Sequence, residues 1–386
     1  MQKPSIVAPG GSLEKAIIAL HYGADAVYVG AQQFSLRKSA SNLTNAEIKH
    51  LCKIAHGLNK RVYLALNIFP HEKDIKPLQV FLDHLEDIPL DACIVSDIGM
   101  AQLIKNHTTI PIHASTQASI LNTETALFWK NLGAKRVVLA REASLEEACK
   151  IKKETNLEIE LFIHGAMCSS FSGKCTISNV ASGRDSNRGG CIQSCRHEYE
   201  LSNGETHHIM NSKDLMGLAH IPAYFSNQID AVKIEGRMKS ALYVATACQQ
   251  YKQAINNYSE SQSLFNSDME SQQDRLSNVS NRGFTDASLA KKAGKSSISY
   301  DWNGYNKSLE FIGIVKETSG NKSLIQTKQA FSSDDAIMVI TPNSPQMEPI
   351  GCAIESLKGV PLTHVSPNQH VWLNTPLKNH GILIKQ

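Results

Sequence analysis

Four of the nine cysteines, Cys168, Cys175, Cys191 and Cys195, follow the pattern C-x6-C-x15-C-x3-C, with Gly165, Gly173, Gly183, Gly189 and Gly190 between or beside them. Thiolates are soft ligands that suit zinc or iron–sulfur chemistry, and glycines let a backbone fold closely around an inorganic core. Structural zinc sites favour tighter C-x2-4-C knuckles, so the six-residue first gap suits a cluster better. The C-x3-C-x2-C pattern of radical S-adenosylmethionine enzymes is absent. Four reduced, semi-buried thiols are the plain alternative, but the stretch is polar and Gly-rich and has little apolar packing to give them. Cys52, Cys93, Cys149 and Cys248 fall on predicted helices or a strand, and Cys352 in a C-terminal β region, so they read as spare thiols.

The elements that position this window alternate regularly. Strands are predicted at 5–8, 26–30, 61–67, 92–96, 112–115, 136–140, 158–164 and 231–235, each with a helical pattern behind it. Capping boxes at Thr44–Glu47 and Ser144–Glu147, and Ser12 before an apolar run, mark helix starts. Eight β/α units predict an α/β fold, a (β/α)8 TIM-barrel-like domain. A doubly wound sheet is the alternative, but Pro9-Gly10-Gly11-Ser12 fits neither dinucleotide nor P-loop pattern. The expected organisation is a catalytic barrel over 1–258 carrying a cysteine-rich insertion at 165–210, a polar connecting segment at 259–308, and a small C-terminal β-barrel at 309–386.

Active sites of such barrels lie where strands end. Asn67, Ser96, Asp97, Arg141, Glu142, His164 and Arg237 follow strands, while His113, Ser115 and Gln117 share one strand face and Lys233 and Glu235 another. His113, His164, Lys233 and Glu235 are the candidate catalytic residues, the histidines because they exchange protons near neutral pH. Core packing or hydrogen bonding is the competing role for each, and for Arg237 an ion pair with Glu235.

Glu160, Phe162, Gly165, Ala166, Met167, Cys168, Gly173, Cys175, Ile177 and Ser178 stand at the spacing E-x-F-x2-G-A-M-C-x4-G-x-C-x-I-S. This resembles the signature of the collagenase-like peptidase family of unknown catalytic type. The runs 22–28, 34–37, 209–215 and 233–237 resemble a tRNA-hydroxylating branch of it, and the likeness covers most of residues 1 to 300. The resemblance implies C5 hydroxylation of the wobble uridine of tRNA, giving 5-hydroxyuridine in the anticodon arm, with prephenate as cosubstrate and an iron–sulfur cluster. Relatives hydroxylate a cytidine of 23S rRNA or serve ubiquinone hydroxylation. The four cysteines are then expected to ligate one 4Fe-4S cluster. Arg37, Arg141 and Arg237 are the expected grips for the prephenate carboxylates, since a guanidinium pairs a carboxylate bidentately, with Lys213 as a point charge. Arg184 and Arg188 flank the cysteines and would tune the cluster or hold RNA. The chain departs from the branch at Gly10, at His197 and in a short stretch over 200–209.

Net charge is only +3, so charge alone predicts no nucleic-acid coat. Residues 31–80, however, hold Arg37, Lys38, Lys49, Lys53, Lys60, Arg61, Lys73 and Lys76 against Glu47, Glu72 and Asp74, a face that suits a phosphate backbone or merely a solvated surface. Phe34 is the expected base-stacking aromatic there, with Tyr28 and Tyr63 expected in the core. No membrane span or apolar leader is legible and the thiols suggest no disulfide framework, so a cytoplasmic protein is expected. A protease would need a nucleophile elbow or H-E-x-x-H, and Ile75 and Leu201 replace the second histidine. A non-enzymatic iron–sulfur adaptor remains the other class of reading.

Overall fold

The computed structural model describes residues 2–36, 41–342, 344–351 and 353–385. Arg37, Lys38 and Cys352 lie outside the described residues.

Eight parallel strands close into a barrel: β1 (Ser5–Gly10), β2 (Ala26–Gly30), β3 (Arg61–Leu66), β4 (Ala92–Val95), β5 (Ile112–Ala114), β6 (Ala134–Val138), β7 (Glu158–Ala166) and β8 (Ala231–Ile234), with β8 pairing both β7 and β1. Both faces of these strands are covered, which is why β2 and β4 are apolar without alternation. The inward set Val7, Ala26, Tyr28, Tyr63, Ala92, Ile94 and Ala231 forms a core of its own. Helices α1 (Leu13–His21), α2 (Asn45–Gly57), α3 (Glu72–Asp83), α4 (Ile98–His107), α5 (Thr123–Leu132), α6 (Leu145–Thr155), α7 (Ile221–Ser226) and α8 (Ala241–Glu260) follow the strands. Both predicted capping boxes form, at Thr44 and Ser144. Asp97, expected at the mouth, instead caps α4 by accepting from the Met100 amide.

The insertion between β7 and β8 starts as a loop, passes a short helix at Ile177–Ser182, and returns as the strand Asp214–Met216, which runs antiparallel to the end of β7. The stretch 259–308, read from its polar composition as a connector, holds helix α9 (Gln262–Ser277). Phe265 and Leu276 of α9 enter the main core, so a helix with few apolar residues still packs against α8. Beyond it lies an eight-stranded antiparallel sheet whose main strands are β9 (Glu310–Ser319), β10 (Lys322–Thr327), β11 (Ile337–Thr341), β12 (Ser344–Ile350), β13 (His370–Leu373) and β14 (Ile382–Lys385). One face of it builds a separate core around Phe331, Val339 and Leu383, while Ile314, Ile340, Ile382 and Ile384 join the barrel's cluster. Among the described residues no helix is long and apolar enough to cross a membrane.

The sheet is tied to α1 and α8 by hydrogen bonds as well as by apolar contact. The buried Tyr22 hydroxyl donates towards the carbonyls of Ile340 (2.7 Å) and His380 (3.0 Å), and Gln249 donates to Thr341 and Ser344. Tyr22→Phe leaves those carbonyls short of a donor at unchanged shape. It should lower unfolding free energy in urea by about 1–3 kcal/mol. No change would show that the docking rests on apolar contact alone.

Candidate active site at the barrel mouth

Inside the barrel, β6, β7 and β8 bring together a charged trio that apolar strands cannot ignore. Glu160, fully buried, accepts from Lys233 Nζ at 2.7 Å and Arg136 Nη1 at 3.0 Å, and Arg136 also bonds Glu158 at 2.7 Å. Burial alone would raise the Glu160 carboxyl, but Lys233 and Arg136 hold it at about 2. Two cations thus meet two carboxylates, and Lys233 lies 4.1 Å from the Tyr28 ring centre. His113 sits in the same interior, edge-on to Tyr63, with Nδ1 unpartnered. Burial first, then Arg136, pushes it down to about 3, so it is a neutral imidazole at pH 7.

Above this trio a cavity of about 50 Å³ opens, lined by Tyr28, Asn67, Ser115, Gln117, Arg141, Phe162, Lys233, Glu235 and Arg237 among others. Asn67, Ser115, Gln117, Arg141, Glu235 and Arg237 follow β3, β5, β6 and β8 at the C-terminal rim, while Tyr28, Phe162 and Lys233 stand within β2, β7 and β8. Glu235 accepts from the Tyr28 hydroxyl at 2.8 Å. Arg237 donates to Ser35 Oγ and Asn42 Oδ1. A Cβ at Gly30 would lie 2.1 Å from the Arg237 guanidinium, so a larger residue there would displace that side chain. Arg141 stacks on Phe162 at 4.4 Å and, among the described residues, has no carboxylate within salt-bridge distance.

Three of the expected residues stand elsewhere. His164 packs among Tyr243, Tyr251 and Phe284 and bonds the Tyr251 hydroxyl at 3.2 Å, because β7 carries an extra residue against β8: Lys233 pairs with Phe162 but Ile234 with His164. That bulge reverses the strand's alternation and turns the ring towards the helices. Burial brings His164 down to about 4. Lys213 lies beside Gly283, away from the cavity. Phe34, half-buried, packs with its ring centre 5.5 Å from that of Phe81. Of the basic face, Lys49, Lys53, Lys73 and Lys76 are exposed, but Lys60 donates to the Leu20 carbonyl at the barrel's other end.

The cysteine window is pinned to the rim. Ser172 donates from its amide to Glu142 at 3.1 Å, its hydroxyl accepts from the Arg141 amide at 3.1 Å, and its carbonyl accepts from Ser119. Gly173 has φ +76° and presses on the Gln117 carbonyl, so the glycines here serve close approach to the barrel as well as local turns. Arg188 is held by Asp74 at 2.7 Å and by the Phe69 carbonyl, a structural tie. Arg184 is exposed.

Cys168 is exposed and Cys175, Cys191 and Cys195 are half-buried. Burial and the neighbouring Cys168 raise Cys195, with Cys191 adding to the effect, so two of the other sulfurs lie within electrostatic reach of Cys195. Cys175 is set apart. Burial works to raise it, yet hydrogen bonds from Ser170, Ser186 and the Ile177 and Ser178 amides bring it below the ordinary thiol range. Among the described residues no group of three or more His, Cys, Asp or Glu closes on a single ion point. Cys52, Cys93 and Cys248 are buried and pushed up to about 12 by desolvation.

Beneath the window lies a pair that sequence reading missed: Arg282 binds Asp214 at 2.6 Å, both side chains 1% exposed, and also reaches Asn211 and the Met167 carbonyl. Asn211 and Asp214 stand in a run already singled out by resemblance, whereas Arg282 lies in the polar connector and carries no signal of its own.

The family model described as Peptidase family U32 matches residues 11–299. The chain is 35% identical to tRNA hydroxylation protein P1 of Bacillus subtilis over 88% of its own length and 84% of that protein. It is 41% identical to tRNA hydroxylation protein P of Helicobacter pylori over 76% of the chain and 73% of the relative. With the 23S rRNA 5-hydroxycytidine C2501 synthase of Escherichia coli it shares 35% identity over 65% of the chain but only 39% of that longer protein.

Neutral His113 and His164 make stability pH-dependent. Their folded values, about 3 and about 4, lie below the unfolded value of roughly 6.5, so the unfolded chain binds more protons in that window. Stability is complete above about pH 6.5 and is lost as pH falls towards 4 and 3. Urea unfolding from neutral to acid pH should give a shallower decline for His113→Asn and His164→Gln than for the parent. Parallel curves would refute the neutral assignment.

Proposed function

The chain belongs to peptidase family U32, and from that premise we propose that it is a prephenate-dependent RNA hydroxylase that forms 5-hydroxyuridine at the wobble position of tRNA and carries a 4Fe-4S cluster on Cys168, Cys175, Cys191 and Cys195. The observation that carries the reading is the identity to a tRNA hydroxylation protein along nearly nine-tenths of the chain. The site supports it. Its charged groups are two guanidiniums, an ammonium and a carboxylate, a set for gripping an anion rather than for cleaving a peptide.

The donors fit a cluster. Cys168 and Cys191 both lie within electrostatic reach of Cys195, as ligands of one cluster would. The hydroxyls and amides around Cys175 stabilise a thiolate, as ligation requires. A bound cluster supplies one-electron chemistry. Arg141, which has no carboxylate within salt-bridge distance among the described residues, takes one prephenate carboxylate with Lys233 behind it. The cavity's volume suits one such group, and the remainder extends above the rim. Arg237 orients the mouth, and Glu235 is the carboxylate placed to take a proton from the base. His113 acts from beneath, as a neutral filler of the charged interior.

The rRNA relative favours a second reading, hydroxylation of a 23S rRNA cytidine. Mass spectrometry of nucleosides from a strain lacking the gene separates the two. Loss of 5-hydroxyuridine derivatives from tRNA is expected. Their retention with loss of 5-hydroxycytidine from rRNA would put the second reading in place of the first. An anaerobic preparation should hold iron and labile sulfide with a broad visible absorption, abolished by Ser at each of the four cysteines and kept by Ala at Cys93 or Cys248. Zinc in stoichiometric amount without sulfide would reject the cluster.

A lost charge-assisted hydrogen bond is worth roughly 1.5–3 kcal/mol, so Arg141→Ala should raise the prephenate concentration needed for half-maximal hydroxylation about 10- to 100-fold. Arg141→Lys should recover only part, lacking the planar fork. An unchanged prephenate response in Arg141→Ala would remove this residue from the site.

A further inference from the structure

A second cavity, about 460 Å³, lies between the barrel rim, the insertion and the C-terminal sheet, and it is far roomier than the one inside the mouth. That size is typical of pockets for a drug- or nucleotide-sized ligand. Its cations are Arg196, Lys239 and Lys307. Among the described residues Arg196 and Lys307 have no carboxylate within salt-bridge distance, and the nearest one to Lys239, Asp214 at 3.9 Å, is already held by Arg282 at 2.6 Å. Burial above all, opposed by Asp214 and helped by Arg282 and Arg196, brings Lys239 down to about 8.

Among apolar residues such as Met238, Leu242 and Val279, the wall also carries aromatic rings and amides. Tyr305 and Phe311 supply aromatic surface, and Gln193 and Gln329 supply side-chain amides. Arg196 is oriented by Gln193 Oε1 and the Tyr305 hydroxyl, each at 2.6 Å. Lys239 lies 4.5 Å from the Tyr305 ring centre. Glu235 borders both this cavity and the one in the barrel mouth, and Arg196 follows Cys195 directly.

We infer that this cavity seats the nucleotide to be modified, with its phosphate on Arg196 and Lys307, its base against Tyr305 and its edges read by Gln193 and Gln329. The inference rests on the RNA reading above and deepens it. A base needs both donors and acceptors around its edge, which glutamine amides offer, whereas a carboxylate uses only their donors. A base held there adjoins Glu235 on one side and the cysteine window on the other, and the C-terminal sheet gains a role as the second wall.

The test is binding of a fluorescent anticodon stem–loop RNA by anisotropy across a salt series, with the visible spectrum of each variant as the check on folding. Tyr305→Ala should weaken binding roughly 10- to 100-fold, and Tyr305→Phe far less. Lys307→Glu should weaken it and reduce the salt slope by about one. Lys153→Glu, on the exposed side of α6, should change nothing. If Lys49→Glu with Lys53→Glu abolishes binding while Tyr305→Ala and Lys307→Glu bind as the parent does, the RNA lies on α2 and the cavity assignment is overturned. If both cavity variants keep RNA affinity but lose their response to prephenate, the occupant is the dicarboxylate, and the assignment again fails. Absence of RNA binding by the parent chain would instead strike the function itself.

Discussion

Glu160 is the constraint on which the barrel depends. A carboxylate with no solvent exposure in the middle of a closed sheet is tolerable only because Lys233 and Arg136 reach it from the two neighbouring strands. Removing one member of such a group leaves an uncompensated buried charge, at a cost of about 3–5 kcal/mol. The trio therefore ties β6, β7 and β8 into one unit, and it fixes Lys233 with its ammonium beneath the mouth. It also explains His113, which two nearby cations and burial keep neutral.

From that base upward the structure is a sequence of attachments to the rim. Ser172 links the cysteine window to Arg141, Glu142 and Ser119, while Arg188 anchors its far side on Asp74. The Arg282–Asp214 pair holds the Met167 carbonyl just before Cys168. Flexible, glycine-containing loop thus becomes a rigid platform without needing many apolar residues, which suits a segment whose side chains serve ligands.

The C-terminal sheet is less separate than its β pattern suggests. It shares apolar side chains with the barrel's cluster, receives hydrogen bonds from Tyr22 and Gln249, and closes one wall of the larger cavity through Phe311 and Gln329. Two cavities of different size then meet at one carboxylate, Glu235, so a small anion and a larger ligand can be held side by side.

The order of the eight barrel strands, the helix caps at Thr44 and Ser144 and the place of the cysteine window between the last two barrel strands were legible in the sequence. Each depends on residues near one another in the chain, where periodicity and turn chemistry act. The outward turn of His164, the packing of Phe34 on Phe81 and the capping duty of Asp97 were not. A one-residue bulge reverses every side chain beyond it, and nothing in the composition of β7 announces it. Nor did charge content reveal that Arg136 and Lys233 are spent on Glu160, that Lys60 is tethered to a carbonyl, that Arg282 is spent on Asp214 or that Arg196 faces the larger cavity. Charges act through distance, and the distance between residues far apart in the chain is set only when the barrel closes and the sheet docks on it.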